Sequence, residues 1–235
     1  MSEKLKEVVK GLGKSEVAEE VSLKEVASAS SLELFSVEQE LMNEGFPEEK
    51  LKSLCKLHLK VVEDRLEELK NSLEEGHPVK TMIVEHEEIL KFLDELDELV
   101  VSMEKGISGT NSEAIKELAE NLISAGKYHE EKENALFSSF EERGITGPTR
   151  ILETEHEELK SEKEKLLELS KEPEKNKEEI IVVVNLISAR LRDHIYRENN
   201  ILYPAALQLI NGKKEWNKIK ISCDKIGYCC FKPGV

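Results

Sequence analysis

Aromatic residues are scarce in this 235-residue chain, with one Trp, four Tyr and six Phe making up 5% of it. Glycine and proline are sparse too, at 12 and 6. A β-sandwich or barrel draws on Val, Thr, Tyr and turn glycines, so this composition excludes one. Positive charge is in the minority: 34 Lys and Arg face 49 Asp and Glu, a net charge of −15. No basic stripe offsets that balance, which speaks against nucleic acid and against an anionic membrane surface as partners. Long hydrophobic runs are missing as well. The longest strictly apolar stretch is Ile180 to Val184, far short of the roughly 20 residues that span a bilayer. The opening MSEKLKEVVKGLGKSE carries no apolar signal segment, so a soluble, cytoplasmic protein is expected. Cys55, Cys223, Cys229 and Cys230 form no CxxC pair and read as reduced thiols.

What the chain has in abundance is Glu, Lys and Leu. Charged residues make up 35% and hydrophobic ones 39%, against an ordinary charged share of about 25%. Straight-chain residues lose little rotamer freedom in a helix, so the bias predicts an all-α fold. Residues 1–76 read as a small helical domain. Leu5, Val8, Val9 and Leu12 form a first stripe. Leu32, Leu34, Phe35, Val37, Leu41 and Met42 form a second, stopped at Gly45. A third runs from Leu51 through Cys55, His58 and Leu66 to Leu69. Gly76-His77-Pro78 breaks the chain, and four long helices follow within 77–212. They are predicted over 79–104 and 112–142, from Gly147-Pro148 to before Pro173, and over 175–210. Short loops favour antiparallel neighbours, hence an up-down-up-down four-helix bundle. Residues 213–235 read as a tail, a strap from Trp216 onward that packs back onto the fold.

Each long helix has an apolar stripe at three-and-four spacing, and each stripe is interrupted by a histidine. These are His86, His129, His156 and His194. Glu133 and Glu198 follow the second and fourth histidines by four residues. That spacing is about 400° of rotation, so each His and Glu share a face. A lone histidine on an apolar face is ordinarily a satisfied core residue. Two buried carboxylates opposite four histidines are different, because a buried carboxylate without a partner costs several kcal/mol. A metal centre compensates them. The chain also repeats itself. Val84-Glu-His-Glu-Glu-Ile-Leu matches Thr154-Glu-His-Glu-Glu-Leu-Lys, and the His129/Glu133 segment echoes the His194/Glu198 segment. Two hairpins around a pseudo-twofold axis place two ions between them. Each ion then takes two imidazoles and shares two bridging carboxylates. A bridging oxide or hydroxide leaves one open position on octahedral iron. Mixed imidazole and carboxylate donors suit iron, whereas Ca²⁺ and Mg²⁺ prefer all-oxygen shells.

These motifs resemble the hemerythrin-like HHE cation-binding domain. The likeness is carried by Glu-His-Glu-Glu in the first and third helices, Lys132-Glu-Asn-Ala-Leu-Phe in the second and Gly144-Ile-Thr-Gly-Pro before the third. His194-Ile-Tyr-Arg-Glu-Asn-Asn-Ile-Leu-Tyr-Pro in the fourth adds to it. The whole chain is similar to a prokaryotic group in which a helical domain of unknown function precedes the HHE domain. The resemblance implies a non-haem di-iron centre held by His86, His129, Glu133, His156, His194 and Glu198. It implies two iron ions with a bridging oxide or hydroxide, and O₂ or NO as the small ligand to be bound or sensed. The alternative it offers is a di-iron enzyme that reduces NO or peroxide, or donates iron for iron–sulfur cluster repair. A redox or signalling protein is the expected partner class. In oxygen-carrying hemerythrin a second histidine follows the first by four residues in the third helix; Lys160 stands there instead, which favours a more open, reactive or NO-responsive site. His77 lies half a turn out of phase with His86 and is expected to stay outside the ligand shell. Cys55 and His58, with Cys229, form a second Cys/His set for which core packing is the ordinary reading. Tyr128 and Tyr196 flank ligands, and helix-interface contact is the default for them.

Overall fold

Ser30 caps the first helix whose full extent lies in the residues that the computed structural model describes, 5–7, 10, 29–46, 66–106 and 112–228. Its side chain accepts from the Glu33 N–H while Glu33 reaches back to the Ser30 N–H, a reciprocal cap. Helix α1, Ser31–Asn43, ends where Gly45 takes φ +79° and Phe46 N–H bonds back to the Leu41 carbonyl at 2.9 Å. A short α2, Leu66–Ser72, follows. The stripes around Leu12 and from Leu51 to Val62, with Cys55 and His58, lie outside the described residues, as does Cys229.

The bundle itself is α3 Pro78–Glu104, α4 Ser112–Glu141, α5 Gly147–Leu169 and α6 Lys177–Arg197. Each helix packs on the next, and α6 closes back on α3, as expected for an up-down-up-down bundle. Pro78 sits in the first turn of α3, where its missing N–H costs nothing. His77 is the N-cap: its Nδ1 accepts from the Val79 N–H at 3.2 Å, and its ring lies 4.5 Å from the Trp216 ring. It stays away from the other histidines, as its helical phase predicts.

Two sequence expectations need correction. The fourth helix is not uniformly α-helical. After α6 the chain widens into a π-turn, Glu198–Leu202, before α7, Tyr203–Leu209. Pro204 explains the widening. Its ring crowds the carbonyl four residues back and it has no N–H to give, so the Tyr203 N–H bonds to the Glu198 carbonyl instead. The region after Asn211 is also more than a strap. It forms helix α8, Lys213–Ile226, laid over α4 and α3 with Ile219 and Cys223 buried.

Helix α1 docks on one end of the bundle. Phe35 packs on Phe140 with ring centroids 5.5 Å apart. The Gln39 carboxamide oxygen accepts from both the Thr146 and Gly147 N–H groups at 2.6 Å, capping α5 from outside. A Cβ on Gly147 would lie 2.3 Å from Met42 Sδ, so any larger residue there makes the Met42 side chain shift.

The bundle core falls into two apolar layers. One contains Val79, Met82, Ile83, Leu136, Phe137, Leu152, Ile201 and Tyr203, with Phe35 of α1 and Ile219 of α8. The other contains Ile89, Leu93, Leu122, Ala125, Leu159, Leu191 and Ile195. Along every bundle helix the predicted ligand positions fall between the two: His86 between Ile83 and Ile89, His156 between Leu152 and Leu159. The polar cluster is therefore sealed from above and below. Among the described residues no helix is long and apolar enough to cross a membrane.

Candidate metal centre

All six predicted donors meet in that gap. His86, His129, His194, Glu133 and Glu198 are each at most 5% exposed, and His156 is 8% exposed. Nε2 atoms of His86 and His129 approach to 2.8 Å. His86 Nε2 lies 2.9 Å from Glu198 Oε2, and His194 Nε2 lies 2.6 Å from Glu198 Oε1. Glu133 divides its oxygens in the same way, with Oε1 at 3.7 Å from His129 Nε2 and Oε2 at 3.2 Å from His156 Nε2. Each carboxylate thus offers one oxygen to each half of the cluster. The donor atoms of Glu133, His156, His194 and Glu198 lie within 4.8 Å of one another, as do those of His86, His129 and Glu198. Both groups include Glu198.

Acceptors outside the cluster aim the imidazoles. Glu85 Oε2 lies 3.0 Å from His129 Nδ1, and Glu155 Oε2 lies 2.8 Å from His194 Nδ1. The Asn199 side-chain oxygen lies 2.8 Å from His86 Nδ1. An N–H donated outward from Nδ1 leaves the Nε2 lone pair facing inward, the tautomer a metal requires. Cations hold the two glutamates in turn. Lys132 pairs with Glu85, and Arg197 Nη1 reaches Glu155 at 2.7 Å. The internal repeat is therefore deeper than its ligands: Glu85-His86 with His129, Lys132 and Glu133 corresponds to Glu155-His156 with His194, Arg197 and Glu198.

The π-turn breaks the correspondence. Phe137 follows Glu133 by four residues and lies nearly parallel to His156, centroids 6.5 Å apart. Tyr203 follows Glu198 by five and stacks on His86 at 5.6 Å. Its hydroxyl lies 3.3 Å from Glu133 Oε1 and 3.3 Å from His129 Nε2. One end of the cluster thus carries a phenol where the other carries a bare ring. Asn199, in the π-turn, is buried, while its counterpart Asn134 is exposed.

Helical spacing does not single out Glu85, Glu155, Lys132, Arg197, Asn199 or Tyr203, because their roles depend on pairing between helices. One signal for Tyr203 was present: the two repeats fall out of step by one residue between Glu and the following aromatic. Among the described residues, the Tyr128 and Tyr196 side chains make no hydrogen bond to the cluster, in contrast to Tyr203.

Protonation balances this charge in the metal-free protein. Burial opposes a charge on His129, but Glu133 and Glu85 outweigh it and hold the imidazole up to about 10. Burial opposes His156 likewise, and Glu133 with Glu198 holds it up to about 10. Glu155 is resisted by burial yet held down to about 2 by His194 and Arg197. Burial and the neighbouring carboxylates push the Tyr203 hydroxyl well above its ordinary value. Glu133 Oε2, His194 Nε2 and both Glu198 oxygens are buried with no contact of good hydrogen-bond geometry, although they crowd one another and the other imidazoles. Buried polar atoms are seldom left so. These four all point at the cluster centre, and a cation there would satisfy them together.

Residues 77–206 match the model of the Hemerythrin HHE cation binding domain. The chain belongs to this family. Residues 5–68 match a further one, described only as a family of unknown function (DUF438). No curated protein matches the chain. The HHE match spans α3 to α7, the segment that contributes every donor of the cluster.

A small cavity of about 20 Å³ touches every cluster residue except Glu133, room for a water-sized guest. Its outer wall is Ile89, Leu122, Leu159, Leu191 and Ile195, with Gly126, Glu130 and Lys163. A larger cavity of about 240 Å³ shares Leu159 and His194 with it and is lined further by Arg190 and Arg197.

Proposed function

We propose that this HHE-domain protein holds two iron ions on His86, His129, His156, His194, Glu133 and Glu198, and binds or senses O₂ or NO there. The observation that supports this reading best is the sharing of carboxylates: Glu133 and Glu198 each turn one oxygen to each imidazole pair. Bridging carboxylates hold two cations close together at fixed separation, and imidazole with carboxylate is a donor set suited to iron. Six protein donors over two six-coordinate ions, with both carboxylates bridging, leave positions free for a ligand. When bound, ferrous ions supply electrons and an open coordination position to a diatomic molecule.

The protein's own part is to aim, shield and offer hydrogen bonds. Glu85, Glu155 and Asn199 fix three imidazoles, so little reorganisation accompanies metal or ligand binding. The apolar layers exclude bulk water, which strengthens every electrostatic contact inside. The cavity walls admit a guest of diatomic size. Tyr203 holds its proton and presents it at the His86/His129 end.

Metal content after purification without oxygen tests the reading, followed by optical spectra before and after O₂ and, separately, NO. About two irons per chain with a new absorption band on gas addition is the expected result. Zinc, or no metal, with no spectral response would sink it.

A further inference from the structure

The cations that hold the two orienting glutamates are matched in the internal repeat, but what holds the cations is not. Lys132 and Arg197 stand at the same offset of 65 that relates His129 to His194. Arg197 has a second carboxylate on its own helix: Asp193, four residues back, lies 3.8 Å from Nη2. The corresponding position in α4 is Tyr128, which offers Lys132 no carboxylate. Lys132 is fully buried, and among the described residues Glu85 is the one carboxylate in ion-pair reach of it. A buried ammonium has three N–H donors, and a single carboxylate leaves part of that charge uncompensated.

The second partner comes from outside the four-helix bundle. The centroid of the Tyr228 ring lies 4.5 Å from Lys132 Nζ, within the distance at which a cation is attracted to an aromatic face. That attraction is strongest where water is excluded. Two features of the α8 terminus place the ring. Gly227 ends the helix at φ 90° and ψ −167°, a conformation open essentially to glycine alone, while its N–H still bonds to the Cys223 carbonyl at 3.0 Å. The Tyr228 hydroxyl then donates to Asp224 Oδ1 at 2.7 Å, which ties the ring to α8. Contacts therefore run unbroken from α8 to the cluster. Asp224 holds Tyr228, Tyr228 covers Lys132, Lys132 pairs with Glu85, and Glu85 lies 3.0 Å from His129 Nδ1. Both α8 and Tyr228 lie beyond residue 206, where the HHE match ends.

We propose that Tyr228 is a positioning residue for the metal position of His86 and His129, acting through Lys132 and Glu85, and that a cation in that position in turn holds α8 on the bundle. The inference rests on the metal-binding reading above and extends the centre to a helix outside the family's segment. Coupling of this kind is reciprocal: whatever docked α8 adds to metal affinity, bound metal adds to the docking of α8.

The test uses full-length wild type, Tyr228→Leu, Tyr228→Phe and Gly227→Ala, titrated with ferrous iron without oxygen against a chromophoric chelator. Leucine keeps an apolar cover and removes the aromatic face. Phenylalanine keeps the face and loses only the bond to Asp224. Tyr228→Leu should weaken one of the two metal steps by about fivefold or more, the same step that Glu85→Ala moves, and leave the other unchanged. Tyr228→Phe should stay within about twofold of wild type. Gly227→Ala, strained at its positive φ, should fall between them. Amide hydrogen exchange reads the reciprocal effect: iron should slow exchange across 213–226 in wild type and Tyr228→Phe, and do so much less in Tyr228→Leu. Unchanged affinity in Tyr228→Leu overturns this inference and leaves the metal-binding reading standing. A loss shared equally by both steps overturns it too, because that is general destabilisation. Equal losses in Tyr228→Phe and Tyr228→Leu remove the aromatic face as the cause, and exchange across α8 that ignores iron removes the coupling. A wild-type protein that binds no iron overturns the metal-binding reading, and this inference with it.

Discussion

Replacing Glu155 by alanine should damage one metal position and spare the other. Glu155 accepts two charge-assisted bonds, from His194 Nδ1 at 2.8 Å and from Arg197 at 2.7 Å. The first holds the His194 ring so that Nε2 faces Glu198. Removing such an outer partner typically lowers metal affinity by about 10–100-fold, which is about 1.4–2.8 kcal/mol. The second bond sets a separate cost. A hydrogen bond to a charged group contributes about 1.5–3 kcal/mol, so the metal-free variant should lose about that much unfolding free energy and unfold at a lower denaturant midpoint. The assay is a competition titration with a chromophoric chelator, in which two ions per chain give two resolvable steps. The step belonging to His156 and His194 should shift, while that of His86 and His129 stays. Glu85→Ala should produce the mirror image, since Glu85 aims His129 and is held by Lys132. Exposed Glu158, less than one turn further on, is the control, and Glu158→Ala should change neither step. Unchanged affinity in Glu155→Ala, or a loss spread evenly over both steps, would refute the assignment of paired orienting glutamates.

Other expectations follow from the same geometry. Glu198→Ala removes the carboxylate common to both donor groups and should leave fewer than two ions per chain by elemental analysis; two retained ions would remove it as a bridge. Tyr203→Phe keeps the ring on His86 and deletes only the hydroxyl. Metal content should hold, and thermal unfolding should report a loss of about 1 kcal/mol. For the metal-free protein the sign of the pH dependence is fixed by His129 and His156, both held up to about 10. Their contribution is complete below the unfolded value of about 6.5 and fades as pH rises toward 10. Urea midpoints of the metal-free form should fall across that window, and the metal-loaded form should lack this component, because metal replaces those protons. His77→Ala removes an N-cap and a ring contact with Trp216, so about 1 kcal/mol of stability should go with metal content unchanged; lost metal would contradict the placement of His77.

The bundle was legible because four stripes keep helical period for 20 residues or more and are punctuated by glycine and proline. The six donors were legible because a histidine in an apolar stripe is conspicuous, and a glutamate four residues later is more so. What escaped depends on registry between helices. Glu85 and Glu155 look like any solvated glutamate until the neighbouring helix brings a histidine to them. Lys132 and Arg197 look like surface charges until those glutamates are placed. The fourth helix was predicted over 175–210 as one continuous α-helix. Pro204 shifts the phase by one residue, and Tyr203 faces the cluster instead. Helix α8 escaped because its stripe is short, with only Ile219 and Cys223 buried.

The π-turn has a bearing on how this site can change over generations. Substituting one residue for another does not bring the Tyr203 phenol to the His86/His129 end of the cluster; an added residue does. Deleting one residue from 198–202 would wind the helix back to α-periodicity and swing everything beyond it by about 100°, taking the Tyr203 hydroxyl away from Glu133 with its side chain unaltered. The difference between the two ends of the cage is thus written as chain length. Two hairpins alike in nearly every ligand are kept chemically distinct by a single insertion, and a gap-free alignment of the halves would set Tyr203 against Ser138 and miss Phe137 altogether.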